Sequence, residues 1–81
     1  MKKILNDSQA KDIYSAMVTL NNVFARAHVR IDAESGLTLH VRQNEDDSIH
    51  VFFRDKTGNR YGDQFEEFET QNDFAIAYGV S

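Results

Sequence analysis

From residue 27 to residue 54 the apolar positions recur with a period of two, and the rest of the chain is organised around this stretch. Three short runs, Val29-Arg30-Ile31, Leu37-Thr38-Leu39-His40-Val41-Arg42 and Ile49-His50-Val51-Phe52-Phe53-Arg54, keep their apolar residues on odd numbers: Val29, Ile31, Leu37, Leu39, Val41, Ile49, Val51 and Phe53. Side chains alternate across a strand, so one sheet face is apolar while the other carries Arg30, Asp32, Thr38, His40, Arg42, His50, Phe52 and Arg54. This even-numbered face is polar and mildly basic, holds a single phenyl ring, and is expected to be open. Glu34-Ser35-Gly36 joins the first two runs as a three-residue hairpin loop with Gly where a positive φ is needed, which sets Arg30 opposite His40. The next connection, residues 43–48, is a polar and acidic hairpin tip; if this hairpin pairs Arg42 with His50, then His40 faces Phe52.

Before the sheet, the period changes to that of a helix. Asn6 is a good N-cap and Gln9 falls at the third helical position, as in a capping box. Ala10, Ile13, Met17, Leu20, Phe24 and Ala27 then follow steps of three and four, flanked by Tyr14, Ala16 and Val23, while Lys11, Asp12, Ser15, Thr19, Asn22 and Arg26 point the other way. This predicts an amphipathic helix of about five turns, ended only by the switch to period two at His28. After the sheet, residues 55–59 form a turn, and Arg60-Tyr61-Gly62 can return as a fourth strand, a reading Gly62 weakens. Residues 63–69 fit neither period. Thr70 with Asp73 three residues on marks a helix start, Phe74, Ala75, Ala77 and Tyr78 line one side, and Gly79 stops it, so a short helix spans residues 71–78. The expected fold is α+β: an N-terminal amphipathic helix packed on the odd face of a three- to four-stranded antiparallel sheet, with a short C-terminal helix, in one domain over residues 1–81.

Composition narrows the context. A chain of 81 residues buries roughly 60–65% of the surface its unfolded form exposes, which leaves a small core and no room for a deep pocket. Without cysteine there is neither a disulfide nor a thiolate metal site. The N-terminus turns polar after Ile4 and Leu5, too soon for a signal peptide, and no apolar run approaches a membrane span. A complete, soluble, cytoplasmic protein is expected. The net charge of −4 is unevenly spread: Lys2, Lys3, Lys11, Arg26 and Arg30 outnumber Asp7 and Asp12 over residues 1–30, whereas residues 64–81 hold Glu66, Glu67, Glu69 and Asp73 with no base.

Candidate chemistry is sparse. His28, His40 and His50 share the even face, but Arg30, Arg42 and Arg54 stand among them and repel a dication, so no metal is expected. Ser8, Ser15, Ser35, Ser48 and Ser81 fall at caps, turns, the helix's polar side and the terminus, with no Ser/His/acid spacing. Glu66 and Glu67 are adjacent, and neighbours on a strand point apart. Residues 58–62 are not a glycine-rich phosphate loop leading into a helix. No cofactor and no enzymatic activity are expected.

Binding functions remain. The carboxylates gather in two blocks, Glu45, Asp46 and Asp47 at the hairpin tip and Asp63, Glu66, Glu67 and Glu69 near the C-terminus. Such blocks suit a protein partner with a basic, nucleic-acid-handling groove, by imitating phosphate spacing. In size, charge and composition the chain resembles phage- and plasmid-encoded inhibitors of host nucleases, including anti-restriction and anti-CRISPR proteins, although no motif is shared and no site residue carries over. That resemblance implies an inhibitor or modulator of a nucleic-acid-processing protein. A first alternative is single-stranded nucleic-acid binding on the even face through Arg30, His40, Arg42, His50, Phe52 and Arg54, which combine cations with a stacking ring. A second is self-association as a homodimer, with Phe52 packing across a two-fold axis.

Overall fold

Asn6 opens the first helix through the capping box its sequence predicts: Gln9 N donates to Asn6 Oδ1 at 2.8 Å, and Asn6 N donates to Gln9 Oε1 at 3.0 Å. The computed structural model describes residues 3–80 and, of Glu34, the backbone alone. Met1, Lys2 and Ser81, which entered the charge and serine readings above, lie outside them. The element order is α1 (Asp7–Asn21), β1 (His28–Asp32), β2 (Thr38–Gln43), β3 (Ile49–Arg54), β4 (Glu66–Phe68) and α2 (Gln71–Tyr78). It is an α+β fold with a four-stranded antiparallel sheet in the order β1-β2-β3-β4.

The register follows the alternation. Arg30 lies opposite His40, His40 opposite Phe52, and Arg42 opposite His50. Leu39, Val41, Ile49 and Val51 are buried, and with Ala10, Ile13 and Met17 of α1 and Phe74 and Tyr78 of α2 they form the core. Thr70 caps α2 by accepting from Asp73 N at 3.1 Å, and Gly79, with φ 65°, closes it in the left-handed conformation. At the first hairpin both Ser35 and Gly36 have positive φ.

Two expectations are corrected. First, α1 ends at Asn21, more than one turn before the expected end at His28. Asn21 and Asn22 are weak helix formers; beyond them Phe24 N donates to Asn21 O and Ala25 N to Leu20 O, which curls the chain back. Phe24 and Val23, expected on the helix's apolar stripe, are 94% and 69% exposed, and Phe24 takes φ 61°. Second, Arg60-Tyr61-Gly62 is not a strand. Only Arg60 bridges to Arg54, and Gly62, at φ 74°, turns the chain away. The fourth strand is instead β4, which pairs with the first half of β3: Ile49 with Phe68, His50 with Glu67, Val51 with Glu66.

Candidate functional site

The pairing of β3 with β4 brings the two acidic blocks to one end of the sheet. Ile49 is the first residue after the β2–β3 tip, and its partner Phe68 is the last of β4. Ser48, His50, Glu67, Phe68 and Glu69 consequently line one surface depression of about 280 Å³. The tip is stiffened by its own side chains. Asp46 Oδ1 accepts from Ser48 N at 3.0 Å and from Ser48 Oγ at 2.6 Å, and Asn44 Nδ2 donates to Ser48 Oγ at 3.0 Å. The Ser48 hydroxyl, and next its amide, hold the Asp46 carboxyl below the usual carboxylate range. Asp47 Oδ1 pairs with Arg26 Nη2 at 3.2 Å. Glu45, Asp46, Asp47, Glu67 and Glu69 are all exposed, so carboxylates far apart in sequence share one acidic end. Arg26 and Arg42 stand beside them, around a second depression of about 600 Å³ that Glu45 and Asp46 also line.

Two of the expected carboxylates do not join that group. Asp63 is exposed in the connection between Arg60 and β4. Glu66 pairs with Val51, which puts it on the apolar face, where its Oε1 accepts from the Tyr78 hydroxyl. The same hydroxyl accepts from Leu5 N at 3.3 Å. Burial and then the Glu66 hydrogen bond push the Tyr78 phenol well above its ordinary value. Glu66 is therefore half-buried and engaged with Tyr78, while its neighbour Glu67 is exposed.

The even face is not uniformly open either. Arg30 and Arg42 are exposed, while His50 and Arg54 are half-buried. His40 and Phe52, however, are only 8% and 5% exposed. Their rings stack 5.4 Å apart at an interplanar angle of 6°. His28 Nε2 lies 3.0 Å from His40 Nδ1. The guanidiniums of Arg60 and Arg54 lie 4.6 and 5.1 Å from the Phe52 centroid, and Arg60 also lies 5.5 Å from that of Phe65. Burial, then the His28, Arg54 and Arg30 charges, lower the His40 pKa. Phe52 is thus covered by the His40 ring and the Arg54 and Arg60 guanidiniums.

Sequence reasoning missed Phe24 as a surface residue; the adjacent asparagines at 21 and 22 were the signal that the helix ends before it. It also missed buried Gln43, whose Oε1 accepts from Ala27 N at 3.3 Å and whose Nε2 donates to Gln71 Oε1 at 3.5 Å, tying β2 to α2.

Among the described residues no group of three or more His, Asp or Glu is placed to hold a metal ion, and no helix is long and apolar enough to cross a membrane. Comparison with family models, curated proteins and solved structures finds no match to this chain. The sheet thus carries an acidic end held by its own hydrogen bonds and a covered cation–aromatic cluster around Phe52.

Proposed function

We propose that this protein acts without turnover, by binding another protein, and that it inhibits or modulates a nucleic-acid-processing partner by placing its acidic end against a basic surface. Glu45, Asp46, Asp47, Glu67 and Glu69 are the contact carboxylates. The observation that carries this reading is the Ile49–Phe68 pairing, which gathers two blocks about twenty residues apart in sequence onto one surface. Exposed ion pairs contribute roughly 0–1 kcal/mol each, so binding needs several of them acting together. A shared, stiff scaffold removes part of the ordering cost.

The test is affinity capture from the native host's lysate, repeated with Glu45→Gln, Asp46→Asn, Asp47→Asn, Glu67→Gln and Glu69→Gln combined. A basic partner recovered by the parent and lost by the variant supports the reading; recovery that the neutralised variant retains in full contradicts it. Cytoplasmic residence belongs to the same proposal, since the partner class works there.

The competing reading, single strands held on the even face, has the gathering of Arg54 and Arg60 in its favour. Coverage of Phe52 removes its stacking platform. Titration of labelled single-stranded DNA and RNA at low salt is expected to show no saturable binding.

A further inference from the structure

Phe24 is 94% exposed, more than any other large apolar residue among those described, and Val23 beside it is 69% exposed. Neither contributes to the core. Phe24 also sits at φ 61°, directly after the helical turn, where glycine is the residue that meets no steric penalty. Glycine at this position would meet no steric penalty, and the ring's exposure leaves it free to touch another molecule.

Its surroundings say what that is. The Arg26–Asp47 pair ties the segment after α1 to the β2–β3 tip, and Ala27 O accepts from Gln43 N at 2.8 Å at the foot of the same tip. Phe24 thus lies two residues before Arg26, on the segment that this pair fastens to the tip. At this end Glu45, Asp46 and Asp47, with Glu67 and Glu69 across the β3–β4 pairing, outnumber Arg26, which is paired with Asp47, and Arg42.

We propose that Phe24, flanked by Val23, is the apolar anchor of the acidic end, and that it enters an apolar pocket rimmed by lysine or arginine on the partner protein. This rests on the reading of the acidic end as a docking surface. Charge selects the occupant. An anionic lipid surface would be repelled by Glu45, Asp46 and Asp47, and a second copy would bring two acidic ends together. A basic-rimmed protein pocket meets both the ring and the carboxylates, in the manner of a buried aromatic hot spot with a polar rim.

The test places the photo-crosslinking amino acid p-benzoylphenylalanine at position 24 and, as a control, at the exposed Tyr61. The probe is the heparin-retained fraction of the native host's lysate, and the crosslinked peptide is read by mass spectrometry. Crosslinking from position 24 but not 61, to a peptide with apolar residues next to Lys or Arg, is the expected result. Phe24→Gly and Phe24→Asn should each weaken capture about tenfold or more. Their thermal midpoints should equal or exceed the parent's, because both residues tolerate the left-handed backbone. No crosslink, equal crosslinking from both positions, crosslinking of the chain to itself, binding to anionic vesicles, or a lowered midpoint for both variants overturns the proposal. If neutralising the five carboxylates abolishes capture while Phe24→Gly leaves it intact, the anchor is wrong and the docking surface stands. If Phe24→Gly abolishes capture while neutralisation leaves it intact, the basic rim is wrong and the docking reading falls with it.

Discussion

His40 shows how a polar residue on the outer face of a sheet comes to matter for stability. It is stacked on Phe52, lies against His28, and faces Arg30 and Arg54, so its charged form is disfavoured in the folded chain. With the folded pKa below the unfolded value of 6.5, the unfolded chain takes up the proton first as pH falls. The contribution is complete above that value and is lost as pH drops below it. Urea midpoints measured between pH 8 and 5.5 should fall, and His40→Phe, which keeps a ring on Phe52, should flatten the slope; a midpoint that rises on acidification would contradict this placement. Tyr78 works in the opposite pH range. Its raised pKa means that the folded state holds the phenolic proton longer, so stability should fall as pH rises above about 10. Tyr78→Phe leaves the Glu66 carboxylate and Leu5 N without their partner, at a cost of about 1–3 kcal/mol by urea unfolding.

At the scale of elements, the strands and caps were legible because each carries a strong local signal. Ile49, Val51 and Phe53 keep the alternation in β3 although Phe52 interrupts it, and Thr70, Asp73 and Gly79 bound α2 at both ends. Two elements were not legible, for separate reasons. The apolar stripe of α1 runs on at steps of four to Phe24, although the backbone has already turned at Asn22, and periodicity cannot see where a helix loses its hydrogen bonds. β4 is three residues long and turns Glu66 toward the core, so its alternation reads as acidic noise; only Tyr78, far along the chain, makes that inward carboxylate tolerable. Of the candidate site, both acidic blocks were readable in the sequence, while their approach through the Ile49–Phe68 pairing and the inward turn of Glu66 depended on a pairing that no local signal encodes. Closure of the even face depended on Arg60 reaching Phe52 from beyond a turn. The face assignment itself makes a sharp contrast: Val51→Asp buries an unpaired charge and should abolish folding by circular dichroism, whereas Thr38→Asp should leave a cooperative transition. Equal behaviour of the two would contradict the face assignment.

Across the whole molecule, the carboxylates are arranged with a direction. Five exposed acids occupy one end of the sheet, and the basic residues Arg54 and Arg60 are engaged with Phe52 on the outer face. Such a field accelerates encounter with a basic partner and weakens with salt as the Debye length shortens. Dissociation is governed instead by desolvated contacts, so the proposed docking gives the acids chiefly the association rate and Phe24 the lifetime of the complex. The most direct measurement is therefore the association rate of the captured partner at about 50 and about 300 mM salt, for the parent and for the variant neutralised at residues 45, 46, 47, 67 and 69. The parent's rate should fall steeply with salt and the variant's should start low and stay nearly flat; equal rates with equal salt dependence for the two proteins would contradict an acidic docking end.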